Sequence, residues 1–177
     1  MELITELLPG CFLMRPKKFT DQRGCFLKTY QEKLCAELGV NLQIREEFYS
    51  VSHKNVVRGM HFQLPPQAHE KLVYCTRGTV CDVMLDLRRG DSYGHIATAQ
   101  LSGENGHLVF IPKGIAHGFV ALTDDSLMLY KTSTEHAPEF DCGIRWDTFG
   151  FDWEVDQPII SDRDRQHIAF SDFVSPF

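Results

Sequence analysis

At 177 residues, with 43% hydrophobic and 11% aromatic content, the chain is long enough for one domain with a sizeable core and too apolar to be disordered. A net charge of -6 argues against a protein that tracks nucleic-acid phosphates, and no run of about eighteen apolar residues is present to cross a membrane as a helix. The acidic N-terminus, Met1 to Glu6, lacks the apolar stretch of a signal peptide. Cys11, Cys25, Cys35, Cys75, Cys81 and Cys142 form no C-x-x-C pair, so packed free thiols in a reducing cytoplasm are expected, with Cys75 and Cys81 buried in apolar strands.

In chain order, Gly10 to Arg15 reads as a first short strand, Asp21 to Gly24 as a turn, and Cys25 to Tyr30 as a second strand. Gln31 to Leu38 carries apolar residues at 34, 35 and 38 and is followed by Gly39, the pattern of a short helix with a glycine stop. Strands are expected over Gln43–Ser52 and Val56–Gln63. On the second, alternation places Gly59, His61 and Gln63 on one face and Arg58, Met60 and Phe62 on the other. The paired prolines of Leu64 to His69 mark a loop.

Glu70–Thr76 and Thr79–Leu87 read as a hairpin turning at Arg77-Gly78. In its second arm Cys81, Val83, Leu85 and Leu87 share a face opposite Asp82 and Asp86, as in a half-buried strand. Ile96–Leu101, His107–Ile111, His117–Leu122 and Leu127–Thr132 continue the series. Trp146, Phe149, Phe151 and Trp153 are expected to cap or plug the structure. Ser161 can N-cap a short C-terminal helix. Many short strands with few helices predict an all-β sandwich or barrel.

A base candidate (His61), a cation (Lys71) and a second imidazole (His117) lie on separate strands that a barrel can bring to one cavity. The frame Gly106-x5-Pro112-x-Gly114-x2-His117 resembles the second motif of the cupin superfamily. Where metal cupins place His-x-His, this chain has His61-Phe62-Gln63, which weakens a metal site built from His61, His117 and Glu70. His53, His95, His107, His136 and His167 read as surface or structural.

A longer series extends the resemblance. It comprises Arg23-Gly24-x-Phe26, Ser50-Val51-Ser52, Asn55 to Gln63, Lys71-Leu72-Val73, Ile111 to Phe119, Leu129-Tyr130-Lys131 and Ile144-x-Trp146-Asp147. In that order these motifs resemble the dTDP-4-dehydrorhamnose 3,5-epimerase family over nearly the whole chain. The resemblance implies a cupin-like jelly-roll β-barrel with a few short helices. It implies a homodimer with exchanged edge strands, and an epimerase acting on a nucleotide-linked 4-keto-6-deoxyhexose without metal or cofactor.

Such chemistry removes a proton beside the C4 ketone and returns one to the opposite face. Imidazole suits the first task at neutral pH, which makes His61 the expected base. By resemblance Asp164 orients His61, Tyr130 is the acid, and Lys71 lies near the C4 oxygen. Arg23, Phe26, Lys28, Glu46, Arg58, His117, Asp141 and Arg163 are expected to bind substrate. A sugar-nucleotide 3,4-ketoisomerase and a non-catalytic sugar-binding cupin are the alternatives.

The nucleotide side departs from the family. Phe26 is followed by Leu27-Lys28 instead of x-Glu, Glu46-Glu47-Phe48 replaces Gln-Asp-Asn, Asp141 replaces Glu, and Arg163 replaces Lys. A lysine suits the bare N3 of cytosine, so CDP is a possible carrier beside dTDP. Inversion at C3, C5 or both is left open.

Overall fold

The computed structural model describes residues 1–177 as thirteen strands and two short α-helices. The strands are β1 (Glu2–Leu8), β2 (Cys11–Arg15), β3 (Lys18–Asp21), β4 (Gly24–Leu27), β5 (Glu46–Ser52), β6 (Val57–Gln63) and β7 (Lys71–Arg77). They continue with β8 (Thr79–Asp86), β9 (Ile96–Ser102), β10 (Leu108–Ile111), β11 (Ile115–Ala121), β12 (Ser126–Thr132) and β13 (Asp141–Gly143). Helix α1 is Glu32–Ala36 and α2 is Asp162–Arg165; Phe170–Asp172 forms a single 3-10 turn.

One sheet has the order β1-β2-β10-β7-β12-β5 and the other β13-β6-β11-β8-β9, while β3 and β4 form a separate hairpin. The fold is all-β and cupin-like, a jelly roll of two facing sheets that remain separate ladders.

Alternation along the strands sorts the apolar residues into three layers. Val73 and Cys75 of β7, Met84 of β8, Val109 and Ile111 of β10, Phe119 of β11 and Met128 of β12 meet between the sheets. Leu72, Tyr74, Leu108 and Phe110 point the other way and are covered by Cys35, Val40 and Leu42 from α1 and the segment after it. The glycine stop works as expected: Val40 N donates to Cys35 O and Gly39 N to Ala36 O, the paired bonds that end a helix.

Several expectations need correction. The segment 70–87 is not a hairpin. Strand β7 pairs with β10 and β12 in one sheet, and β8 with β11 and β9 in the other, so Arg77-Gly78 is a corner between sheets. Gly78 is required there: its φ is +76°, and a Cβ would sit 2.6 Å from Ser126 Oγ. Strand β8 is buried on both faces, because Cys81, Val83, Leu85 and Leu87 face a third apolar layer while Asp82 and Asp86 point between the sheets. Phe149 and Trp153, with Trp146 and Phe151 beside them, belong to that third layer on the outer face of the five-stranded sheet and do not plug the barrel. Strands β1 and β3 were not expected. The second predicted strand ends at Leu27, because the chain leaves the hairpin there for α1. All six cysteines are free; Cys75 is buried and Cys81 only partly so.

Strands β6 and β11 approach backbone to backbone at Gly59 and Gly118. A Cβ on Gly118 would lie 2.7 Å from Arg58 O and 2.7 Å from Met60 Sδ. Gly118→Ala is therefore expected to destabilise the fold by about 1–3 kcal/mol, the usual cost of overpacking a filled site. Urea unfolding followed by circular dichroism measures it, and an unchanged midpoint would contradict the close approach.

Candidate active site

A cavity of about 390 Å³ opens between the two sheets, and its wall takes side chains from β5, β6, β7, β11, β12 and β13. Their presence follows from strand parity. Lys71 shares the inward face of β7 with Val73 and Cys75, and Tyr130 shares that of β12 with Met128. His117 pairs directly with His61 across β11 and β6, which sets the two imidazoles side by side.

Simple alternation fails at Arg58. Phe119 pairs with Arg58 and His117 with His61, so two steps on β11 span three on β6. The extra residue is a bulge, and it turns Arg58 to the same face as His61. Arg58 Nε donates to Ser52 Oγ at 3.0 Å and Nη2 to Val51 O at 3.2 Å.

His61 Nε2 lies 2.8 Å from Asp164 Oδ1, and the carboxylate's other oxygen accepts from Gly59 N at 3.2 Å. Asp164 is placed by α2. Ser161 caps that helix as expected, its Oγ accepting from Asp164 N at 3.1 Å, and the same bond fixes Asp164 facing β6. Burial opposes ionisation of Asp164, but the His167 and His61 imidazoles and the Gly59 N–H outweigh it and hold the carboxyl well below the usual carboxylate range. A carboxylate only accepts, so Nε2 of His61 carries the hydrogen and Nδ1 keeps its lone pair. Burial pulls the His61 pKa below the ordinary imidazole value against the pull of Asp164, with Lys71 and Arg163 adding to the drop. The exposed edge of the ring faces the cavity.

Tyr130 stacks on Phe48 with ring centres 4.7 Å apart, and its hydroxyl is 3.4 Å from Ser50 Oγ. Burial raises its pKa, so the phenol stays protonated at neutral pH. Lys71 is 7% exposed and donates to His61 O at 3.0 Å. Burial pushes its pKa down to about 8, against the pull of Asp141 and Asp82. His117 Nε2 is 2.7 Å from Asp82 Oδ1, a carboxylate with no exposed surface. Arg163 Nη2 pairs with Asp141 Oδ2 at 2.6 Å. Glu46 accepts from His136 N at 2.7 Å.

The cavity thus gathers Glu46, Arg58, His61, Lys71, His117, Tyr130, Asp141 and Arg163, with Asp164 directly behind His61. It does not gather Arg23, Phe26 or Lys28. These sit on or just beyond the exposed β3–β4 hairpin, where Arg23 pairs with Asp21 at 2.6 Å and Phe26 is 58% exposed. Nor do His61, His117 and Glu70 converge as metal donors; the group with that geometry is His61, Asp164 and His167.

Five residues at the site were not singled out from sequence. Asp82 was assigned to a solvent face, yet a carboxylate sharing a strand face with Val80 and Met84 is the signal of a buried partner. Phe48 had been noted only as a departure. His69 lines the cavity, with Gln63 Nε2 3.2 Å from its Nδ1, and burial pushes its pKa down to about 3. His167, read as surface or structural, lies against Asp164 from just past the end of α2. His136, read the same way, is exposed but lines the cavity.

Facing antiparallel sheets with a neutral imidazole, a protonated phenol and an ammonium around one cavity define a cupin-like protein equipped for acid–base chemistry. The chain belongs to the dTDP-4-dehydrorhamnose 3,5-epimerase family, whose model matches residues 5–172. A Methanothermobacter thermautotrophicus protein named dTDP-4-dehydrorhamnose 3,5-epimerase is 42% identical over 165 residues, covering 89% of this chain and 88% of the relative. The crystal structure of the Bacillus anthracis dTDP-4-dehydrorhamnose 3,5-epimerase, with TDP and PPi bound, superposes with a TM-score of 0.93 at 31% identity, covering 95% of this chain and 98% of that one. A Legionella pneumophila dTDP-6-deoxy-D-glucose-3,5-epimerase in complex with dTDP-4-keto-L-rhamnose gives a TM-score of 0.91 at 32% identity, covering 96% and 93%. The family is one of isomerases, enzymes of deoxysugar nucleotide biosynthesis.

Proposed function

We propose that this protein inverts C3 and C5 of a dTDP-linked 4-keto-6-deoxyhexose. The observation that carries the reading is the His61–Asp164 pair facing a cavity that also holds Tyr130 and Lys71. His61 Nδ1 takes the proton beside the C4 ketone. The electron pair moves to the C4 oxygen, where the Lys71 ammonium stabilises the enolate in a largely dry site. Tyr130 returns a proton to the other face. His117 and Arg58 hold the sugar and the diphosphate, and Arg163 joins them from α2.

We favour dTDP over CDP as carrier. The relatives' names support it. Product NMR after incubation with dTDP-4-keto-6-deoxyglucose tests the activity: inverted C3 and C5 are expected, and a carbonyl moved to C3 would mark a ketoisomerase instead. Calorimetry with dTDP and CDP tests the carrier, and tighter CDP binding would reverse that choice.

The pH dependence follows from the two shifted groups. The base works when neutral, so kcat/KM rises with pH through a His61 pKa below the ordinary value of about 6.5. The ammonium works when charged, so activity falls above about pH 8 as Lys71 loses its proton. Lys71→Arg, always protonated, is expected to lower the plateau and abolish the descending limb. A limb unchanged in that variant would remove Lys71 from its role.

The protein is further proposed to work as a homodimer in the cytoplasm. Strand β5 is a sheet edge with Phe48, Tyr49 and Val51 exposed, and the β3–β4 hairpin offers Phe19 and Phe26 to a partner. Arg23, Phe26 and Lys28 would then serve the partner's cavity. A monomer mass by light scattering at working concentration would exclude this. No helix is long and apolar enough to cross a membrane.

A further inference from the structure

We propose that His61, Asp164 and His167 form a binding site for a zinc-type divalent ion, and that filling it silences the base. His61 Nε2, Asp164 Oδ1 and His167 Nε2 all lie within 4.8 Å of one another. The first two are 2.8 Å apart and the last two 3.5 Å apart. Donor atoms on one tetrahedral zinc, with bonds of 2.0–2.1 Å, stand roughly 3.3 Å apart. Side-chain shifts smaller than a bond length bring the three to that geometry.

His167 supplies the second observation. Its Nε2 is buried with no hydrogen-bond partner, and Asp164 Oδ1 lies 3.5 Å away. An orphaned buried nitrogen is costly, and a ligated one is not. The ring cannot turn away. It packs on Gly143, where a Cβ would come within 2.5 Å of it, and meets the His61 ring edge-on at 5.6 Å.

The donor set selects the ion. Two imidazoles and one carboxylate suit zinc and its borderline neighbours, whereas magnesium and calcium need more oxygen donors than the single carboxylate gives. Lys71 and Arg163 face the same region and weaken the attraction, so micromolar affinity is expected.

Inhibition follows from the tautomer. The ion takes Nε2 of His61, and the hydrogen it displaces moves to Nδ1. No proton leaves the protein, but the ring now points an N–H at the substrate and has no lone pair for the C–H. Only this inhibitory half rests on His61 acting as base; binding does not.

The test uses chelator-treated protein with zinc chloride. Calorimetry is expected to find one micromolar site in the wild type, weakened at least about tenfold in His167→Asn and in His167→Gln. Thermal melts without zinc verify that each variant is folded. Epimerase activity, normalised to each protein's zinc-free rate, is expected to fall in step with site filling in the wild type and to persist in both variants. Equal zinc affinity in the wild type and both folded variants, or full activity with the site filled, would overturn the proposal. A zinc-free wild type with no epimerase activity would instead defeat the functional reading and leave the site to be judged by calorimetry.

Discussion

His61→Ala is expected to reduce turnover of the dTDP-4-keto-hexose by about 1000-fold or more, the scale of losing a positioned general base. Its Nδ1 lone pair is the base proposed above, because Asp164 holds the hydrogen on Nε2 and burial favours the neutral ring. Alanine removes that lone pair and nothing else of comparable basicity replaces it. Lys71 is an ammonium until about pH 8, and His69 is turned toward Gln63. Binding of dTDP is expected to change little, since the cations assigned to the diphosphate, Arg58 and Arg163, do not hydrogen-bond the imidazole. Solvent deuterium wash-in and calorimetry separate the two effects. Wash-in at the wild-type rate would remove His61 from the mechanism.

Tyr130→Phe is expected to divide the reaction. The phenylalanine ring keeps the stack on Phe48 and gives up only a hydroxyl and its contact with Ser50, so the fold is preserved. Proton removal by His61 continues, and the enolate can take a deuteron back from the same side. Delivery from the opposite face is lost. Inversion should fall by about 100-fold while exchange falls by less than about tenfold. NMR in heavy water reads both at once, as deuterium at an uninverted centre against inverted product. An equal fall in both rates would mean that Tyr130 does not act after deprotonation.

Much of this site is legible in the sequence, and the exceptions have physical causes. Lys71 follows from parity, because residues 71, 73 and 75 share a face and two of them are apolar. Asp164 follows from resemblance, and its placement from Ser161, a cap three residues upstream. Arg58 was put on the wrong face because a bulge adds one residue between it and His61, and no single-strand pattern reveals that. The 70–87 segment was misread because a glycine corner between sheets and a glycine hairpin have the same local signature; only long-range pairing distinguishes them. Asp82 was assigned to solvent because a half-buried strand is the ordinary reading of alternating charge, whereas here helices and loops cover the outer face as well. His167 left a signal that could have been used, an imidazole three residues beyond the carboxylate of a capped helix.

The β3–β4 hairpin shows the opposite limit. Its Arg23-Gly24-x-Phe26 resembles a family motif expected to bind substrate, yet a single chain leaves Arg23, Phe26 and Lys28 exposed. In the proposed homodimer these residues would serve the partner's cavity, a role that one chain's pattern of exposure hides. Its exposed phenylalanines give the reason to seek a partner there.

The central claim is that His61 and Tyr130 address one sugar ring from opposite faces, with Lys71 beside the oxygen between them. A crystal structure with a dTDP-hexose lacking the ketone measures this directly. The account predicts the ring between His61 Nδ1 and the Tyr130 hydroxyl, with Lys71 Nζ within hydrogen-bond reach of the C4 substituent. A ring bound with both groups on one face, or outside this cavity, would contradict it.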